Sequence, residues 1–266
     1  GGLFKRVGGS PAANIAKWNG TNWSAVGLGL SGSTYAVVAA LAVSGRHLYA
    51  GGSFTTAGGS QAGYIVKWNG TNWSALGSGM HDGVFALAVS GSDLYAAGDF
   101  TTAGGSPANH IAKWDGSSWS ALGSGMNAGV VFALAASGSD LYAGGGFTMA
   151  GGSPVNYIAR WDGTTWKPLG SGMNNNVYAL AASGRYLYAG GSFTTAGNKA
   201  SAHVAKARIG SAAESVTASG SSATIQFSGV VGCQYHVQRT DSLTPMTWTT
   251  LTASPLSPAA DGSFSF

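Results

Sequence analysis

Apolar residues in this chain come in short alternating bursts closed by glycine-rich punctuation. Residues 84–89 read Val-Phe-Ala-Leu-Ala-Val, and further runs follow at 94–100, 110–114 and 119–122. Runs of this length bounded by Gly, Asn, Asp and Ser predict β-strands. The joins carry turn chemistry. Ser90-Gly91-Ser92-Asp93 links the first two runs and Asp115-Gly116-Ser117-Ser118 the last two. Asn19-Gly20, Asn69-Gly70 and Asp162-Gly163 repeat the device. Asn-Gly and Asp-Gly reach positive φ at low steric cost, so each join predicts a tight hairpin.

The four-run unit recurs. The phrase Gly-Gly-Ser-Phe-Thr-Thr-Ala-Gly-Gly, with small variations, places its aromatic at Phe4, Phe54, Phe100, Phe147 and Phe193, spaced 50, 46, 47 and 46 residues apart. Trp18, Trp68, Trp114 and Trp161 each follow the first four by 14 residues. A period in this range marks supersecondary units that bury their faces on one another. Four antiparallel strands per unit predict an all-β propeller of about five four-stranded blades over residues 1–209. A β-solenoid has shorter coils and lacks hairpin turns. Ala86 and Ala88 are expected near the axis, where blades converge, and Phe85, Leu87, Leu94 and Phe100 between blades. Eighteen runs over five units leave two readings, a ring that closes imperfectly as five blades or one that lacks upstream repeats: the first unit lacks its first strand, and the last lacks its fourth strand and its Trp. Open strand edges are association hazards.

The repeat stops at Ile209-Gly210. Residues 210–266 alternate differently, with runs at 215–218, 223–227, 234–239, 247–251 and 262–266, and predict a small, partial β-sandwich. A complete sandwich of that kind takes about 100 residues, so a strand from another chain could complete it.

Composition narrows the classes. Hydrophobic residues make up 44% of the chain, charged residues only 8%, and the net charge is +4. The apolar share sustains a core, and the small, dispersed charge gives no basic stripe for nucleic acid. No apolar run reaches the length of a membrane span. A single cysteine, Cys233, excludes an intrachain disulfide framework. No signal peptide is visible, and the start in mid-repeat at Gly1 reads as a mature product or a fragment.

The glycine doublets Gly51-Gly52, Gly144-Gly145 and Gly190-Gly191, followed by paired aromatics, resemble kelch-type repeats, with Ala97-Gly98 departing from the doublet. The phrase Gly-Ser-Phe-Thr…Trp…Leu-Gly-Ser-Gly-Met is also similar to repeats of fungal cortical polarity-marker proteins and of bacterial surface propellers. Residues 235–248 resemble immunoglobulin- or fibronectin-like modules of secreted bacterial proteins. These resemblances imply a secreted or cell-surface protein, bacterial in origin. They are nearly silent on activity, because fold does not imply function.

Candidate chemistry is sparse. Asp93, Asp115, Asp140 and Asp162 sit in predicted hairpin turns, where Asp is a turn former. Asp82 and Asp99 belong to the longer connections, but two unpaired acids make a weak glycosidase argument. The Asp162-Gly163-Thr164-Thr165-Trp166 turn lacks the spacer of a sialidase-type Asp-box. His47, His81, His110, His203 and His236 show no metal-ligand spacing. Ala57-Gly58-Gly59 lacks the helix and Lys-Ser/Thr pair of a phosphate loop. Asn19, Asn22, Asn69 and Asn72 match the glycosylation sequon, which turn preference explains equally well.

The aromatic pairs Trp18/Trp23, Trp68/Trp73, Trp114/Trp119 and Trp161/Trp166 flank one hairpin turn in each unit. They are read as cross-strand packing between blades, with sugar stacking as the functional alternative. Lys17, Lys67, Lys113, Arg160 and Lys206 repeat a basic position that either faces an anionic polymer or lays its stem over Trp.

Connections that vary between units cluster at one end of the fold, and variable loops on a regular frame are where binding is expected. His81, Asp82, Asp99, Asn127, Asn174, Asn175 and Asn176 are therefore the candidate ligand-binding residues. No catalytic residue, metal or cofactor is expected. The leading expectation is a non-enzymatic extracellular propeller that binds a protein or glycan. The alternative is a structural subunit of a filament or surface layer, self-associating through strand edges or the C-terminal module.

Overall fold

The computed structural model describes residues 1–127 and 129–209, together with the backbone of Ala212–Ser219, Ser222–Ser228, Gln238–Arg239, Thr249–Thr250 and Ser263–Ser265. Among the described residues every element is a strand. The second blade is the antiparallel sheet Val38–Ser44, His47–Gly52, Ile65–Trp68 and Trp73–Ala75, in that spatial order. The third comprises Val84–Ser90, Asp93–Gly98, Ile111–Trp114 and Trp119–Ala121; the fourth, Val131–Ser137, Asp140–Gly145, Ile158–Trp161 and Trp166–Pro168. The first blade contributes the pair Ala16–Trp18 and Trp23–Ala25, and the fifth the three strands Val177–Ser183, Tyr186–Gly191 and Val204–Arg208. In the first blade Gly1-Gly2 stand where the others carry their doublet: Gly2 N–H donates to the Asn14 carbonyl at 3.0 Å, as Gly52 N–H does to that of Tyr64.

The repeats are thus propeller blades. The sheets of the third and fourth blades are packed on both faces, and strand alternation decides which neighbour each residue meets. In the third blade Leu87, Leu94, Ala96, Phe100 and Ala112 pack with Ile65, Leu76 and Met80 of the second. Ala86, Ala88, Tyr95, Ala97 and Ile111 pack with Val131, Leu141 and Phe147 of the fourth. Leu87, Leu94 and Phe100 thus lie between blades as expected. Ala86 and Ala88 lie on the first strand, where neighbouring blades come closest, and form a small-residue face on which the next blade seats its larger side chains. Phe85 joins neither interface, because the ladder to the second strand slips between Val84 and Ala86 and leaves it as the bulged residue. The repeated Phe is the plug of each interface; Phe54, Phe100, Phe147 and Phe193 are fully buried.

The doublets have a steric cause in their second glycine. A Cβ on Gly52, Gly98, Gly145 or Gly191 would stand 1.9–2.2 Å from a carbonyl oxygen at the start of the blade's first strand. The first glycine faces a side chain instead: a Cβ on Gly51 would meet Val84, and one on Gly144 would meet Val177. In the third blade Ala97 occupies the position fully buried.

At one equivalent position in every repeat a residue other than glycine adopts left-handed backbone: Asn14, Tyr64, His110, Tyr157 and His203, with φ between 62° and 67°. It turns the chain into the third strand. His110, for example, donates its N–H to Phe100 O and accepts from Gly98 N–H.

By internal contacts the chain forms two units, Gly1–Ala182 with Ala189–Ala205, and Ser183–Tyr188 with Lys206–Phe266. In the second unit Ala212–Ser219, Ser222–Ser228 and Ser263–Ser265 form one sheet, and Gln238–Arg239 pairs with Thr249–Thr250. Cys233, His236 and most of the predicted runs 234–239 and 247–251 lie outside the described residues.

Candidate functional site

The blades present two different ends. At the short-turn end, the Asn19, Asn69, Asp115 and Asp162 side chains each accept from the backbone N–H groups two and three residues ahead. These bonds are structural. Hydrogen bonds from the backbone of Ser118 and Ser117 and from the Ser117 hydroxyl hold the Asp115 carboxyl well below the usual carboxylate range. Burial raises the Asp162 carboxyl, but Lys167 at 2.8 Å and the Thr165 and Thr164 N–H groups outweigh it, and the net shift is downward. A depressed carboxyl stabilises the fold above the unfolded-state value of about 3.9 and loses that contribution as pH falls through the folded value. Asp162→Asn keeps the turn, since Asn serves at the same place in two other blades. It is expected to cost about 1 kcal/mol near neutral pH. The difference should close in strong acid, below about pH 2; chemical denaturation of both proteins at the two pH values checks this.

The tryptophan pairs are latches between blades. Each pair is directly cross-strand, with ring centroids 5.1–5.5 Å apart. The second indole N–H reaches back to the preceding blade: Trp73 to Val26 O at 3.1 Å, Trp119 to Leu76 O at 2.8 Å, and Trp166 to Leu122 O at 2.9 Å. The glycine after the first accepting residue gives the rings room: a Cβ on Gly27 would lie 3.0 Å from the Trp68 ring, whereas one on Gly77 or Gly123 would make an ordinary 3.6 Å contact. The packing reading of these pairs therefore accounts for three of the four.

The repeated basic residues also have local partners. Lys113 pairs with Asp93 at 3.2 Å, Arg160 with Asp140 at 3.1 Å, and Lys206 lies 3.7 Å from the Tyr186 ring centroid. Asp93, Asp140 and Tyr186 occupy one equivalent position, so acid or aromatic answers the cation blade by blade.

At the opposite end, three candidate residues hold loops. Asn127 Oδ1 accepts from the N–H groups of Thr148 and Met149, and Asn174 Oδ1 from those of Thr194 and Thr195. His81 Nδ1 accepts from Thr101 N–H at 3.1 Å. Each follows the repeated Met and pins the Thr-Thr or Thr-Met loop of the next blade, at the last three of the four junctions.

Asp82 and Asp99 are brought together at one junction: Asp82 Oδ1 accepts from Gly83 N–H, and Asp99 N–H donates to Gly83 O at 3.0 Å. Both acids are exposed. Asn176 belongs to a second group. Its Nδ2 donates to the Tyr178 hydroxyl at 3.3 Å, and its Oδ1 lies 3.3 Å from the Cβ position of Gly146. Hydrogen bonds from Asn176 and then Ser192 lower the Tyr178 hydroxyl from its ordinary value. The exposed Tyr178 ring meets Phe132 at 5.3 Å between centroids, and Asn175 is exposed beside Asn176.

The sequence analysis did not select Phe132 and Tyr178. Phe132, like Phe85, is the bulged residue of its first strand, and Tyr178 is the equivalent in the fifth blade. A bulge re-aims a side chain, here out of the blade interface. The signal was present: Val84-Phe85, Val131-Phe132 and Val177-Tyr178 put two large apolar residues side by side and break the alternation.

The first connection is longer than the others. Leu30 and Val38 are separated by seven residues, where Met80 and Val84 are separated by three. Ser53 Oγ pins this insertion, donating to Tyr35 O and accepting from Val37 N–H, and leaves Tyr35 exposed. A concavity of about 630 Å³ lies beside it, lined by Leu3, Lys5, Pro11, Leu28 and Ser33 among others. Among the described residues no three His, Cys, Asp or Glu side chains group as metal ligands, and no helix is long and apolar enough to cross a membrane.

This arrangement defines a β-propeller-type repeat protein that exposes Tyr35 and Tyr178, with the neighbouring amide of Asn175, at the long-connection end. Its solved structural neighbours include the computationally designed Ika4 protein, at TM-score 0.44 and 20% identity over 68% of this chain and 96% of that one. The designed Ika8 protein is similar at TM-score 0.43 and 16% identity over 84% and 61%. YCF48 bound to D1 peptide is similar at TM-score 0.43 and 14% identity over 89% and 74%. No protein family and no curated protein matches the sequence.

Proposed function

We propose that this protein is a non-enzymatic, extracellular or cell-surface binding propeller. It grips a glycan or protein partner at its long-connection end. The observation that carries this reading is the Phe132–Tyr178 pair: two aromatic rings turned out of the blade core, one exposed, beside the hydrogen-bonding groups of Asn175 and Asn176. Aromatic faces supply apolar area at low entropic cost, and neighbouring amides supply direction. The inserted loop with Tyr35 and the acids Asp82 and Asp99 extend this surface. Residues 210–266 would serve as an immunoglobulin- or fibronectin-like accessory module of a bacterial surface protein.

The test is a binding screen against immobilised polysaccharides and extracellular proteins, with the bound partner recovered and examined for cleavage. Tyr178→Ala with Asn175→Ala is expected to weaken binding about tenfold or more, as loss of an aromatic anchor does. Thr71→Ala, at the short-turn end, should bind normally. Equal binding by the double variant, or turnover of the partner, would refute the reading.

A further inference from the structure

The blade interface is built four times within this chain, and each end of the array shows half of a fifth. The rear face of the first blade carries Phe4, Trp18 and Trp23, the residues that in later blades fill the interface with the blade before. Phe4 is only half-buried, whereas its four equivalents are fully buried. Trp18 is 49% exposed and Trp23 47%, against 8% for Trp114 and 5% for Trp166. Trp23 finds no accepting carbonyl among the described residues, although Trp73, Trp119 and Trp166 each do.

The forward face of the fifth blade is the counterpart. Val204 stands where Ile65, Ile111 and Ile158 stand in earlier blades; they are buried and it is 68% exposed. Ala179 and Ala181 are exposed where Ala133 and Ala135 are buried. The fifth blade has no Trp pair, so the fourth blade's latch site is also unfilled. Leu169 is only half-buried, where Leu76 and Leu122 are buried, and a Cβ on Gly170 would meet nothing within 4 Å.

We infer that the rear face of the first blade is a docking surface for a second copy of this chain, which presents the forward face of its fifth blade. The occupant follows from the four internal interfaces: a small-residue Ala and Val/Ile face is what covers the Phe and Trp face wherever it is covered. The two surfaces differ, so the contact is heterologous, and it adds copies head to tail. An exposed apolar face of matching design is the kind of surface that marks such a site. The inference stands independently of ligand binding at the long-connection end.

Sedimentation velocity of the full chain across a concentration series tests it, read together with tryptophan emission. The wild type should associate with rising concentration, and its emission should shift to the blue as Trp18 and Trp23 leave water. Trp18→Ala/Trp23→Ala should weaken association about 30-fold or more, the loss typical of a buried Trp anchor. Val204→Glu, at an exposed position that leaves the fold intact, should do the same. Each variant keeps one good face, so a mixture of the two should form a one-to-one heterodimer and nothing larger. The heterodimer also shows that both variants are folded. A wild type that stays monomeric throughout would overturn the inference, whether its first-blade Trp residues are exposed or buried within one chain. So would association that survives both variants.

Discussion

Trp166→Ala is expected to lower the unfolding free energy by about 3–5 kcal/mol, the range for deleting a large buried aromatic. Trp166 is 5% exposed, packs on Trp161 at 5.4 Å, and donates its indole N–H to Leu122 O at 2.9 Å. Its removal opens a cavity and leaves a carbonyl unpaired. Trp23→Ala in the monomer should cost far less, within about 1 kcal/mol, because half of that ring already meets water. Urea titrations of the two variants at low protein concentration measure the contrast. Similar losses would mean that the Trp pairs act within their own hairpins and not as latches between blades.

Gly98→Ala is expected to be comparably disruptive. The added methyl would sit 2.0 Å from the Gly83 carbonyl oxygen, a contact that only backbone movement can relieve. Overpacking of this kind costs about 1–3 kcal/mol where side chains can yield, and more where they cannot. Ala97→Gly next to it should cost about 1–2 kcal/mol, the usual loss for glycine in a strand together with that of one buried methyl. A circular-dichroism melt of each variant decides the matter; a Gly98→Ala protein as stable as the wild type would remove the steric account of the doublet.

These two positions show what the sequence discloses and what it hides. The recurrence of Phe54, Phe100 and Phe147 with their Trp partners was legible as blades, because hydrophobic period, turn residues and repeat length all agree. The difference within the doublet was not legible. Both glycines look alike in one dimension, and only the approach of the Gly83 carbonyl separates Gly98 from Ala97. The alanines of the first strand were assigned to the axis on size alone. Where blades converge, small size is what a close interface needs, and Ala86 and Ala88 lie in one.

Variable connections selected the long-connection end for a frame-and-loop reading, but not the work each side chain does there. His81, Asn127 and Asn174 spend polar atoms on clamping the next loop. Such bonds join residues about twenty positions apart and leave no local signal. Phe132 and Tyr178 were concealed within a hydrophobic strand, since a bulge is a feature of pairing and not of composition.

Hydrogen–deuterium exchange of the protein with and without a partner recovered from the binding screen tests the central claim most directly. The account predicts protection at residues 31–37, 81–83 and 174–178, with the short turns 69–72, 115–118 and 162–165 unchanged. Protection confined to those short turns, or absent from the segment around Tyr178, would contradict it.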